Sequence, residues 1–153
     1  MVVSSARLTA PEDHAWRSFM YASRRMRVIV SAVVAEASGL SEADFDVLVT
    51  LVERPDRVMR SSELAEAVGW DRSRLSHHAL RLAARGMLTR ETDPDDNRGI
   101  RFRMTEAGVD AIRRATGPHF AAVKQILSDA LTREQVAQLG EISDALLAHA
   151  ERA

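Results

Sequence analysis

Cysteine is absent from all 153 residues, which excludes disulfides and thiol-based redox sensing. Lysine is nearly absent as well: Lys124 stands alone, so basic character rests on arginine, as expected of codon usage in a GC-rich genome. Aromatic residues make up 5% of the chain, so a core must be built mainly from Leu, Val, Ala, Ile and Met. No apolar run approaches the roughly 20 residues of a membrane-spanning helix. The segment from Met1 to Pro11 lacks the charged start and apolar stretch of a secretion signal, so a cytoplasmic location with no membrane partner is expected. There is no glycine-rich phosphate loop, no nucleophile elbow and no cysteine nucleophile. Ser76 and His77 adjoin without a third, orienting group. The expectation is therefore no catalytic residue, no cofactor and no enzyme. His77 and His78 point about 100° apart on a helix, and His14, His119 and His149 lie in separate segments, so no metal site is expected either.

What is present is helical periodicity interrupted once by strands. Apolar content of 46% suits a globular chain. Pro11-Glu12-Asp13 opens a helix in which Trp16, Phe19, Met20, Met26, Ile29, Val30, Val33 and Val34 recur at three- and four-residue steps as far as Ser38. Ser41 and Asp44 form a weak capping box for a second helix carrying Phe45, Leu48 and Val49, which Pro55 ends. Val58-Met59-Arg60 allows only a very short strand. Ser61 or Ser62 caps a short helix ended by Gly69, and Asp71 caps another, closed by Gly86. Leu88–Glu91 and Ile100–Met104 read as strands, the second with Ile100, Phe102 and Met104 on one face and Arg101 and Arg103 on the other. A long helix follows from Thr105, with Gly117-Pro118 expected to kink or break it. Thr132 opens the last helix.

Between Arg60 and Arg103 nine arginines face seven acidic residues, a small basic excess in a chain whose total charge is -1. Two short helices followed by a hairpin is the order of a winged helix-turn-helix, which offers a duplex a recognition helix and a wing. Arg72, Ser73, Arg74, Ser76 and His77 fall in the first two turns of the recognition helix, where such folds place base contacts, and Arg81 lies one turn beyond His77. In the hairpin turn Asp93–Gly99, Arg98 can enter a narrow minor groove. Asp96 is placed to hold Arg98 or nearby backbone, and Gly99 is free to take positive φ. Arg101 and Arg103 are phosphate anchors or edge charges. In the last helices, Leu131, Val136, Leu139, Ile142, Leu146 and Leu147 exceed what one helix needs, so they face a partner chain, the first helix, or both.

Asp96-Asn97-Arg98-Gly99 matches a wing signature, Asp-x-Arg-Gly, and Met104-Thr105-Glu106-Ala107-Gly108 matches an L-T-x-x-G helix opening with Met in place of Leu. In both motifs and in helix lengths along nearly the whole chain, the sequence resembles the MarR family of bacterial transcription regulators. The resemblance implies a mainly α fold with a small β-hairpin wing, in one domain spanning 1–153. Residues 41–105 would form the winged helix-turn-helix lobe, and 11–38 with 106–153 the dimerisation helices. It further implies a homodimer, acting as a repressor on a pseudo-palindromic stretch of double-stranded DNA, with Arg98 in the minor groove and the Asp71 helix in the major groove. His77 stands where many members have arginine, so base preference does not carry over. Family members often bind small phenolic or aromatic effectors; here Trp16, Met20 and Phe45 would line such a site, with Arg17 or Arg24 as anion partner. The competing reading is a winged-helix protein-interaction module without specific DNA binding, which the modest local charge leaves open.

Overall fold

The computed structural model describes residues 7–94 and 96–152, and the side chains of all these except Asn97 and Arg98. Within them the chain forms α1 (Ala10–Ser38), α2 (Glu42–Val52), β1 (Val58–Arg60), α3 (Ser61–Ala67), α4 (Arg72–Ala84), β2 (Leu88–Asp93), β3 (Asp96–Met104), α5 (Glu106–Ala130) and α6 (Arg133–Ala150). The fold is the expected one: mainly helical, with a three-stranded antiparallel sheet in the order β1-β3-β2. The chain divides into two compact units, one of residues 31–122 and one of residues 1–30 with 123–153.

The larger unit holds the buried core. Leu40, Leu48, Leu64, Leu75, Leu82 and Phe102 are fully buried. They come from α2, α3, α4, the loop before α2 and the middle strand, so each helix lays its apolar stripe on one shared core. Phe102 pairs with Met59 on one side and Arg90 on the other. The alternation read from the sequence holds: Phe102 and Met104 are buried while Arg103 is exposed.

Helix ends follow local chemistry. Ser41 and Asp44 complete a reciprocal capping box, and Thr132 and Gln135 another. Asp71 accepts from the Arg74 N–H at 2.8 Å, which fixes the first turn of α4. Thr105 precedes α5 and ties it to the turn between α4 and β2. Its hydroxyl donates to the Gly86 carbonyl at 2.7 Å, and its N–H to the Met87 carbonyl at 3.0 Å.

Four local expectations are corrected. Neither Ser61 nor Ser62 caps α3: both lie inside the helix, and the cap is Arg60, whose N–H donates to Glu63 at 3.3 Å because β1 runs straight into α3. The wing strands are longer than their apolar alternation suggests, since backbone pairing continues past the last apolar residue to Asp93 and Asp96 through a register shift at Thr92/Asp93. Gly99 is not at positive φ. Its lack of a side chain serves close approach instead: a Cβ there would lie 2.8 Å from the Asp93 Cβ. Finally, of the kink or break expected at Gly117-Pro118, the break does not occur: Pro118 lies within α5, which continues to Ala130. A proline removes one donor, and the helical pattern on both sides carries the helix through.

In the smaller unit no described residue is buried. Its helices display Trp16, Phe19, Met20, Tyr21, Ile142 and Leu147 to solvent, the last at 63% exposure, and α6 buries nothing along its length.

Candidate nucleic-acid interface

The helix expected to read DNA is α4, and its fold follows from its ends and its stripe. Leu75, Ala79 and Leu82 bury one side, Asp71 caps the start, and Gly69 at φ 67° turns the chain between α3 and α4. The rest of the helix surface is open, and Arg72, Ser73, Arg74, Ser76, His77 and Arg81 are all exposed on it. This puts the six α4 residues singled out by sequence on one accessible helix, with basic and hydroxyl groups in the two turns nearest the positive end of the helix dipole.

Two further residues shape this helix and were not read from the sequence. Trp70, in the turn before α4, lies under the Arg74 guanidinium, with Cζ 4.2 Å from the ring centroid. His78 stands against the same indole at 5.0 Å between centroids, and its Nδ1 lies 2.8 Å from Arg81 Nη2. Burial is the main cause lowering the His78 pKa, the Arg81 charge adds to it, and Asp44 pulls the other way. A neutral His78 suits accepting a hydrogen bond from Arg81. Nothing local signalled Trp70: it precedes the α4 cap, and only the turn between α3 and α4 brings it under Arg74.

The wing is organised by a residue the sequence presented as part of a turn. Asp93 is buried, with its Oδ2 2.5 Å from Arg60 Nε and 3.2 Å from Arg101 Nε. Arg101 is thus a half-buried ion-pair partner joining β3 to Asp93 and, through it, to Arg60 at the end of β1. Arg103, exposed, donates to Glu91 at 2.7 Å across the β2–β3 pair. That hydrogen bond is the main cause holding the Glu91 carboxyl below the usual range; burial opposes it, and the Arg103 charge adds to it. Asp96 is exposed at the start of β3. Arg98 belongs to β3 by its backbone, while its side chain lies outside the described residues.

Between helix and wing lies a cleft of about 330 Å³ lined by Arg60, Ser61, Ser62, Arg72, Asp93, Asp96, Gly99 and Ile100. It brings Arg72 and Asp96 to one place. A neighbouring cleft of about 420 Å³ includes Arg54, Asp56, Glu63 and Arg101. The residues expected to meet an effector lie elsewhere: Trp16 and Met20 are exposed in the smaller unit, and Phe45 is half-buried in the larger one, stacked on His119 at 5.0 Å. Among the described residues no three His, Asp or Glu side chains gather as a metal site, and no helix is long and apolar enough to cross a membrane.

Comparison with known proteins places this arrangement. Residues 40–100, from the start of α2 to the wing, match the MarR family model. The transcriptional repressor MprA of Escherichia coli is 29% identical over 117 residues, which cover 76% of this chain and 66% of that protein. The crystal structure of Sco3205, a MarR family transcriptional regulator from Streptomyces coelicolor solved in complex with DNA, is 36% identical, covers 92% of this chain and 89% of its own, and superposes with a TM-score of 0.85. AbsC, a MarR family transcriptional regulator from the same organism, is 29% identical over 97% of this chain and all of its own, with a TM-score of 0.87. With a winged helix-turn-helix in the larger unit and this degree of likeness along nearly its full length, the chain belongs to the MarR family of transcriptional regulators.

Proposed function

We propose that the chain is a sequence-specific DNA-binding transcriptional regulator that acts as a homodimeric repressor on a pseudo-palindromic operator. The observation that carries this reading is the open face of α4, where Arg72, Ser73, Arg74, Ser76, His77 and Arg81 stand exposed beside the wing. Arginine forks suit guanine edges and serine hydroxyls accept or donate to any base. Arg98 at the wing reaches the minor groove, Asp96 steadies the turn that carries it, and Arg101 steadies β3 through Asp93. The solved complex of Sco3205 with DNA supports the reading, as does the name of the E. coli repressor. Dimerisation draws its support from the smaller unit, whose apolar side chains are unburied in the single chain and need a partner to leave water. Release by a small phenolic or aromatic ligand completes the proposal: a ligand that favours one spacing of the two lobes shifts the population away from the DNA-bound state.

Fluorescence anisotropy on duplex DNA across a series of salt concentrations tests the DNA reading. The logarithm of affinity is expected to fall linearly with the logarithm of salt, and Arg98→Ala to weaken binding and reduce the slope by about one phosphate contact. Weak, salt-insensitive binding that is indifferent to Arg98→Ala would instead make the fold a protein-interaction module.

A further inference from the structure

Trp70 lies between Gly69 and the helix cap Asp71, in the turn joining α3 to α4. Its N–H donates to the Ala65 carbonyl at 2.8 Å, so the indole is carried by the end of α3 and not by the helix it touches. On that indole rest two side chains of α4 one turn apart, Arg74 at 4.2 Å and His78 at 5.0 Å. Arg81 extends the file, bonded to His78 at 2.8 Å. An exposed arginine ordinarily samples many rotamers, and that freedom is lost when it reaches a base edge. Arg74 has lost much of it already. Its backbone N–H is held by Asp71 at 2.8 Å, and its head group lies over the ring, with Cζ 4.2 Å from the centroid. Stacking uses the face of the guanidinium and leaves its in-plane N–H donors for a bidentate contact.

We propose that Trp70 is a positioning residue for DNA recognition, presetting the Arg74 guanidinium for a base-edge contact from the first turn of α4. This rests on the DNA-binding reading given above. It assigns sequence discrimination to a side chain that itself touches no base.

The test measures anisotropy on two duplexes, the sequence that the wild-type protein enriches from a random pool and a scrambled version of it. Wild type is compared with Trp70→Leu, Trp70→Phe, Arg74→Ala and the double variant Trp70→Leu/Arg74→Ala. Trp70→Leu is expected to weaken the enriched duplex about fivefold, the cost of ordering one freely moving long side chain on binding. It removes no charge, so the scrambled duplex should change by less than about twofold. Trp70→Phe, which keeps a ring face and carries the test by itself should the leucine variant fail to fold, should lose less on the enriched duplex and nothing on the scrambled one. The double variant should bind no more weakly than Arg74→Ala alone, since both changes remove one contact. Equal loss on both duplexes, additive losses, or a leucine variant as tight as wild type would each overturn the positioning role. If the wild type enriches no sequence, the DNA-binding reading itself fails and this role with it.

Discussion

Asp44 shows how much one buried carboxylate does in this fold. It closes the capping box of α2 by accepting from the Ser41 N–H at 3.1 Å, and it accepts from Arg85 at the end of α4 at 2.7 Å. Arg85 also donates to the Gly39 carbonyl at 2.8 Å, so the start of α2 and the end of α4 are fastened together. Burial is the largest single influence on this carboxyl and pushes its pKa up, but the Ser41 and Arg85 hydrogen bonds and the Arg85 charge together outweigh it and leave the pKa lowered. A carboxyl whose folded pKa lies below its unfolded one stabilises the fold above the unfolded value and loses that contribution as pH falls through the folded one. Urea unfolding should therefore show Asp44→Ala less stable by about 2 kcal/mol near neutral pH, with a shallower loss of stability below the ordinary value of 3.8 than wild type. An unchanged acid limb would remove Asp44 from this role. The capping half of it was legible in the spacing of Ser41 and Asp44. The Arg85 half was not, because the partner lies 41 residues away. Asp93 was missed for a related reason: an acidic residue before proline reads as turn, and only the approach of Arg60 and Arg101 makes it a buried hub.

At the scale of elements, the seating of α5 depends on the absence of a side chain. Gly108 is buried, and a Cβ there would lie 2.5 Å from the Met87 carbonyl oxygen and 3.0 Å from the Met104 side chain. Backbone cannot yield as a flexible side chain can. Gly108→Ala should consequently cost about 2 kcal/mol by overpacking, read as a lower thermal midpoint in calorimetry, despite alanine's better helix propensity. A variant as stable as wild type would show that α5 is not seated this closely. The element order, the caps at Ser41, Asp71 and Thr132, and the alternation of β3 were all readable, since each rests on residues within a few positions of one another. The unreadable parts depend on neighbours distant in sequence. The length of the wing strands is set by backbone pairing, which has no side-chain signature. The exposed α4 face was legible as a set, whereas the Trp70 platform beneath Arg74 required the turn geometry.

At the scale of the whole molecule, the two units have opposite characters. The larger buries its apolar residues and exposes arginine along α4; the smaller buries none of its described residues and exposes Trp16, Phe19, Ile142 and Leu147. A monomer would leave this apolar surface in water, while a two-fold dimer would cover it and present two copies of α4 to one duplex. Two recognition helices related by a two-fold axis read half-sites about one helical turn apart, so the symmetry of the protein should be written in the DNA it prefers. The measurement that tests this most directly is selection of the full-length protein on a pool of random duplexes at two salt concentrations, with sequencing of what is retained. The account predicts a two-fold-symmetric consensus that persists at the higher salt. Retention without a consensus, or a single unrepeated half-site, would contradict it.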